Sequence, residues 1–114
     1  MDEQIMAPTF ELLHGLGITA NYGGYYYTAY AVLLAQQQPD RLLLVTKWLY
    51  PDIARQYKTT WQCVERNIRT VISLAWQRNQ TLLEDLMGRP LVKRPNVGQF
   101  IAMLAYRLSD PRAA

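Results

Sequence analysis

The sequence predicts an all-α domain of about six helices. Three observations carry this. Apolar residues recur three and four apart along most of the chain, as on one face of a helix. Helix starts and stops (Pro, Asp, Thr, Asn, Gly) punctuate these stretches at sensible intervals. And 114 residues with 50% apolar and 18% charged content suit one globular domain, here 1–114, with a real core and no need of a disulfide or metal.

Residues 1–7 read as a loose end. Pro8 suits a first helical turn, and Phe10, Leu12, Leu13 and Leu16 supply its apolar face. Gly15 and Gly17 end it. Ile18 to Gly24 reads as a connector, with Asn21 and Gly23-Gly24 as turn residues. The run from Gly24 to Gln38 is rich in tyrosine, which also suits strands. Tyr27, Tyr30, Ala31 and Leu34 fall at helical spacing, however, and Ala31 to Gln38 are good helix formers. Pro39 breaks the chain. Asp40 is the predicted cap of a third helix with Leu43, Leu44, Lys47, Trp48 and Leu49 on one face. This helix either bends through Pro51 towards Tyr57 or breaks near Tyr50, since an interior proline costs about 3 kcal/mol.

The stretch Tyr50 to Trp76 organises the rest. It reads as a short helix, a polar turn at Lys58, Thr59 and Thr60, and a long amphipathic helix. Thr59 or Thr60 can cap that helix, and Thr59 with Gln62 has capping-box spacing. Val64, Ile68, Val71, Ile72, Ala75 and Trp76 form the inward stripe. A fifth helix near Thr81 to Leu86 closes at Gly88. A basic loop from Arg89 to Pro95 follows, and Asn96 caps a last helix, Val97 to Leu108, with Phe100, Ile101, Leu104 and Leu108 inward. Asp110-Pro111 ends it.

A short helix, a tight turn and a long helix make a helix-turn-helix, whose second helix enters the DNA major groove. Opposite the apolar stripe stand Gln62, Glu65, Arg66, Arg69, Thr70 and Ser73. A guanidinium fork matches O6 and N7 of guanine, and a carboxylate accepts from N4 of cytosine. Lys58, Thr59 and Thr60 at the helix start suit a phosphate. The charge distribution agrees. The net charge is only +3, but Arg55, Lys58, Arg66, Arg69 and Arg78 face one acid, Glu65, and Arg89, Lys93 and Arg94 form a second cluster, which reads either as a loop in solvent or as a second contact to the DNA backbone. The same pattern also describes an ordinary solvated helix face with a Glu65–Arg69 pair.

Other chemistries have thin support. One histidine, His14, and one cysteine, Cys63, make neither a metal site nor a nucleophile pair. His14 reads as a helix-end residue facing a neighbour or solvent, and Cys63 as a packing residue at the start of the long helix. No cofactor and no enzyme activity are expected. The tyrosines read as core and scaffold, with Tyr26 exposed. The acidic start and short apolar runs fit no signal peptide or membrane span, and a single cysteine fits the cytoplasm.

The run LVTKWLYPDIARQYKTTWQCVERNIRTVISLAW closely resembles the C-terminal effector domain of the stage-zero sporulation response regulator. The matching pieces are TK-x-LYPDIA at Thr46 to Ala54, TT-x-x-x-VER-x-IR at Thr59 to Arg69, and Ala75-Trp76. Further matches are His14, Gly17 and Ile18, Gly24-Tyr25, and Pro95 with Phe100-Ile101-Ala102-Met103. The likeness spans roughly residues 10 to 108. It implies a six-helix domain of the winged-helix-like DNA-binding superfamily that reads boxes of the TGTCGAA type. It also implies two protomers on tandem sites, a homodimer on double-stranded DNA, with RNA polymerase as a further partner. Carried over residue by residue, Arg66 goes to a guanine, Glu65 to base or partner positioning, and Arg69 to phosphate or base. Thr70 stands where the family usually has histidine, and Trp61 and Cys63 replace small or polar residues. The family's regulator carries a receiver domain ahead of this region, and only about nine residues precede the first matched helix here. Either the sequence is the effector domain cut from a longer protein or it stands alone, and the MDEQIMAPTF start points to the latter. A second reading is an interaction module that pairs with a full-length sporulation regulator through its last helices.

Overall fold

A computed structural model describes residues 3–109. All regular secondary structure among these residues is helical, with no strand among them. Helix α1 spans Glu3–Gly15, so residues expected to be loose already form a turn and a half of helix ahead of Pro8. Met6 is buried, and that burial offsets the backbone bond lost to the interior proline. The helix closes in a Schellman motif. Gly17, at φ 91°, donates its N–H to the His14 carbonyl at 3.0 Å, and Ile18 donates to Leu13 at 2.8 Å. Leu13 and Ile18 meet in the core as the apolar pair that accompanies this motif.

Helix α2, Gly23–Gln37, lies at the centre and packs against α1, the long helix and the last helix. Its buried residues include Gly24, Thr28, Ala29, Ala31 and Ala35, small enough to let neighbours approach on several sides. Gly24 sets the closest crossing. A Cβ there would lie 2.3 Å from the Asn67 carbonyl oxygen.

The predicted third helix is divided. Pro39–Leu43 is a 3₁₀ turn, α3 spans Val45–Trp48, and α4 spans Tyr50–Gln56, with the break at Leu49 and Pro51 in the first turn of α4. The six expected helices are present, with the third split into a 3₁₀ turn and two short α-helices. Asp40 does not cap it; it sits inside the 3₁₀ turn. The expected apolar face is also not a buried face. Leu43 is 73% exposed, Leu44 52% and Trp48 40%, whereas Leu49 is fully buried. The reason is geometric. A 3₁₀ turn advances about 120° per residue and an α-helix about 100°, so a stripe drawn at α-spacing is dispersed.

Helix α5, Trp61–Arg78, buries Val64, Ile68, Val71, Ile72 and Ala75, as its periodicity predicts, while Trp76, the last of the expected stripe, is half-buried against the core. Helix α6, Gln80–Met87, starts on an Asn79 cap and ends at Gly88, which is left-handed at φ 78°. Helix α7 spans Val97–Ser109. It opens with a capping box. Gln99 donates its N–H to Asn96 Oδ1 at 2.8 Å, and Asn96 donates its own to Gln99 Oε1 at 3.0 Å. Phe100, Ile101 and Leu104 are buried and Leu108 is half-buried. The Asp110-Pro111 ending lies outside the described residues.

Candidate nucleic-acid interface

The turn between α4 and α5 is built from consecutive backbone signals. Lys58 donates its N–H to the Arg55 carbonyl at 3.4 Å and Thr59 to the Ala54 carbonyl at 2.9 Å, a Schellman closure of α4. Lys58 occupies its left-handed position at φ 55°, where glycine is usual. Thr60 then starts α5 by accepting the Cys63 N–H on Oγ1 at 3.1 Å. Of the two candidate caps, Thr60 is the one used, and the Thr59–Gln62 box does not form. Tyr57 fixes the turn to the scaffold, with its ring edge-on to Tyr27 at 5.3 Å and Tyr30 at 5.9 Å. Two residues of the tyrosine run therefore hold the turn in place. Tyr26, expected to be exposed, is half-buried against Phe10 and Tyr25.

On α5 the structure brings the predicted residues onto one face. Gln62, Arg66, Arg69 and Thr70 are exposed, and Glu65 and Ser73 are half-buried. Lys58 and Thr60 are exposed at the start of the same helix, and Thr59 is half-buried. Arg69 reaches Glu65 at 3.4 Å, with 70% of its side chain exposed. Such a surface pair is worth about 0–1 kcal/mol, so it yields readily to a stronger partner. Arg66 pairs with no carboxylate among the described residues. The Thr70 hydroxyl donates to the Arg66 carbonyl at 3.0 Å. Its proton is used within the helix, so outward it offers lone pairs and a methyl group. Ser73 accepts from Arg94 Nη1 at 2.7 Å and keeps its own proton to donate.

Two members of the basic cluster are occupied elsewhere. Arg55 donates to Asp52 at 2.6 Å, and Arg41 pairs with the same carboxylate. Hydrogen bonds from these two guanidinium groups hold the Asp52 carboxyl below its usual range. Arg78 donates to the Gly17 carbonyl at 2.7 Å and to the Tyr22 hydroxyl at 3.1 Å, and lies over the Tyr22 ring. It ties the end of α5 to the α1–α2 connector. Lys58, Arg66 and Arg69 are the members left facing outward. Arg94 joins them through Ser73, a link that periodicity could not reveal. In the sequence, Arg89, Lys93 and Arg94 between two prolines fit a solvated loop and a second DNA-backbone contact equally well.

Cys63 lies half-buried beneath this face. A hydrogen bond from Thr59 holds its thiol below the usual value, with Tyr27 and Arg66 acting in the same direction. Burial and the same thiol push the Tyr27 phenol up. His14 meets the Tyr25 hydroxyl through Nε2 at 3.0 Å, a neighbour contact of the expected kind. No three metal-ligating side chains gather among the described residues, and no helix there is long and apolar enough to cross a membrane.

The family model for the sporulation initiation factor Spo0A C terminal matches residues 9–108. The chain belongs to this family. The Spo0A C-terminal family is a helical, DNA-binding regulatory one and not a known enzyme family, and membership implies transcription regulation in sporulation. The resemblance read from the TK-x-LYPDIA and VER-x-IR runs is thereby established at the level of the family.

Proposed function

We propose that this chain is a sequence-specific double-stranded DNA-binding transcription regulator, acting as one domain that lays α5 in the major groove. The observation that carries this reading is Arg66, exposed and without a carboxylate partner among the described residues, on a helix whose opposite face is core. Arg66 takes a guanine of a TGTCGAA-type box through its fork. Glu65 positions a base or a neighbouring side chain. Arg69 takes a base or phosphate on release from Glu65. Lys58, Thr59 and Thr60 meet the backbone at the start of the helix, while Gln62, Thr70 and Ser73 border the contact. Thr70 offers only acceptors and a methyl group, which suits a thymine methyl or a cytosine amino group. Two protomers occupy tandem boxes as a homodimer, in the cytoplasm, with RNA polymerase as the downstream partner.

Gel-shift titrations test this. Arg66→Ala should abolish preference for a box duplex over a scrambled one. Lys58→Ala should weaken both duplexes equally and lower the salt slope by about one unit. Equal affinity of the unaltered protein for both duplexes would sink the sequence-specific reading.

A second reading is a module that pairs with and modulates a full-length sporulation regulator. The exposed Leu43, Leu44 and Trp48 favour it, although they lie at the 3₁₀ turn and α3 and not on the last helices through which the sequence reading placed the contact. DNA-independent capture of that regulator, lost on Leu43→Ser with Trp48→Ser, is its expected signature.

A further inference from the structure

A cleft of about 300 Å³ runs beside α5, between that helix and the end of the basic loop. Ile72 and Val97 are among its apolar lining, and Arg69, Ser73, Arg94 and Asn96 are its polar groups. It has two guanidinium groups and no carboxylate in its lining. We propose that this cleft is a phosphate site for the DNA backbone flanking the box, with Arg94 as its main ligand. The inference rests on the DNA-binding reading and extends it to a loop outside the helix-turn-helix.

The loop is pinned at both ends. At its start Leu91 is buried and donates its N–H to Glu84 Oε2 at 2.8 Å. At its end Pro95 is buried, and the Asn96–Gln99 capping box fixes the chain direction. Between these anchors Val92, Lys93 and Arg94 are exposed. Arg94 is held by the 2.7 Å bond from Nη1 to Ser73. A guanidinium carries five N–H donors in a rigid fork. One is accounted for by Ser73, and the others remain to grip a phosphate oxygen pair.

Position selects the ligand. Arg66, Arg69 and Ser73 follow one another at helical spacing along the outward face of α5. A helix in a major groove about 12 Å wide has a sugar-phosphate strand along each side. An element packed beside that helix and tied to its outward face therefore stands against a strand rather than a base edge. A contact of this kind adds affinity and registers the helix, and carries no sequence information of its own.

The test measures binding of the whole protein to box and scrambled duplexes across a salt series. Arg94→Ala should weaken both duplexes by the same factor and reduce the salt slope by about 0.9. Raising salt from 50 to 200 mM should then cost the unaltered protein roughly three- to fourfold more affinity than it costs the variant. Arg94→Lys should keep the slope, and Ser73→Ala should keep the slope with a smaller affinity loss, because it frees the arginine without removing the charge. If Arg94→Ala does not fold, ethylation interference on the unaltered protein decides. A blocking phosphate at the edge of the box supports the site, and its absence overturns it. An unchanged slope in folded Arg94→Ala also overturns it, as does loss confined to the box duplex, which would make Arg94 a support for α5 alone. Failure of the unaltered protein to bind either duplex would instead remove the DNA-binding reading itself.

Discussion

Lys58 holds a left-handed backbone, φ 55°, at the junction of α4 and α5. For an L-residue with a side chain this conformation costs roughly 1–2 kcal/mol, and glycine escapes it at some cost in chain entropy. Lys58→Gly should therefore leave stability unchanged or raise it by up to about 1 kcal/mol in urea denaturation. The same variant should weaken binding to all duplexes. A loss of stability instead would mean that the lysine side chain supports the turn. The strain is local and Lys58 is exposed. Arg66 and Arg69 differ in a related way. Both are exposed, but Arg69 has Glu65 to leave before it can meet a ligand.

At the scale of elements, two contacts decide where α5 stands. One is its cap. Thr60→Ala removes the acceptor for the Cys63 N–H and should cost about 1 kcal/mol, while Thr59→Ala spares that bond. Thermal unfolding followed by circular dichroism should show a fall of about 4 °C for the cap variant. The other contact is the crossing of α2 and α5. An alanine Cβ at Gly24 would lie 2.3 Å from the Asn67 carbonyl oxygen and 2.5 Å from a Val71 methyl. Backbone cannot step aside as a flexible side chain would. Gly24→Ala should therefore destabilise by about 3 kcal/mol, the upper end for an overpacked core. Equilibrium unfolding measures this, and a cost below about 1 kcal/mol would show that the helices can slide apart there.

For the whole molecule, the core reaches the candidate face of α5 through Tyr50. The residue is 1% exposed, and burial, reinforced by Glu65, pushes its phenol up to about 12. Well below pH 10 the phenol is neutral in folded and unfolded chains alike. Between pH 10 and 12 the unfolded chain gives up this proton and the folded chain keeps it, so stability falls across that window. Tyr50→Phe should flatten this alkaline limb by about one proton in denaturation curves taken at a series of pH values. An unchanged limb would place its cause in the other tyrosines.

Much of this architecture was legible in the residue order, because helices and their ends are set by neighbours close in sequence. The stripe from Val64 to Ala75, the stop at Gly88 and the cap at Asn96 each depend on contacts within a few positions. The VER-x-IR run likewise named Glu65, Arg66 and Arg69 before any geometry was known. Where local signals competed, they were not decisive. Thr59 and Thr60 were equal candidates until the closure of α4 used the Thr59 backbone. Leu43, Leu44 and Trp48 looked like a core face until a 3₁₀ turn changed the angular step. Which arginines are free was beyond any periodicity. Arg78 is claimed by Gly17 from 61 positions away, and Arg94 reaches Ser73 across 21. A charge becomes available or committed according to what the folded chain brings within hydrogen-bond distance. The sequence alone determined the all-helical class, most of the helices, the family and the candidate face on α5. Tertiary packing decided which of its cations face outward, because that depends on distances between residues remote in the chain.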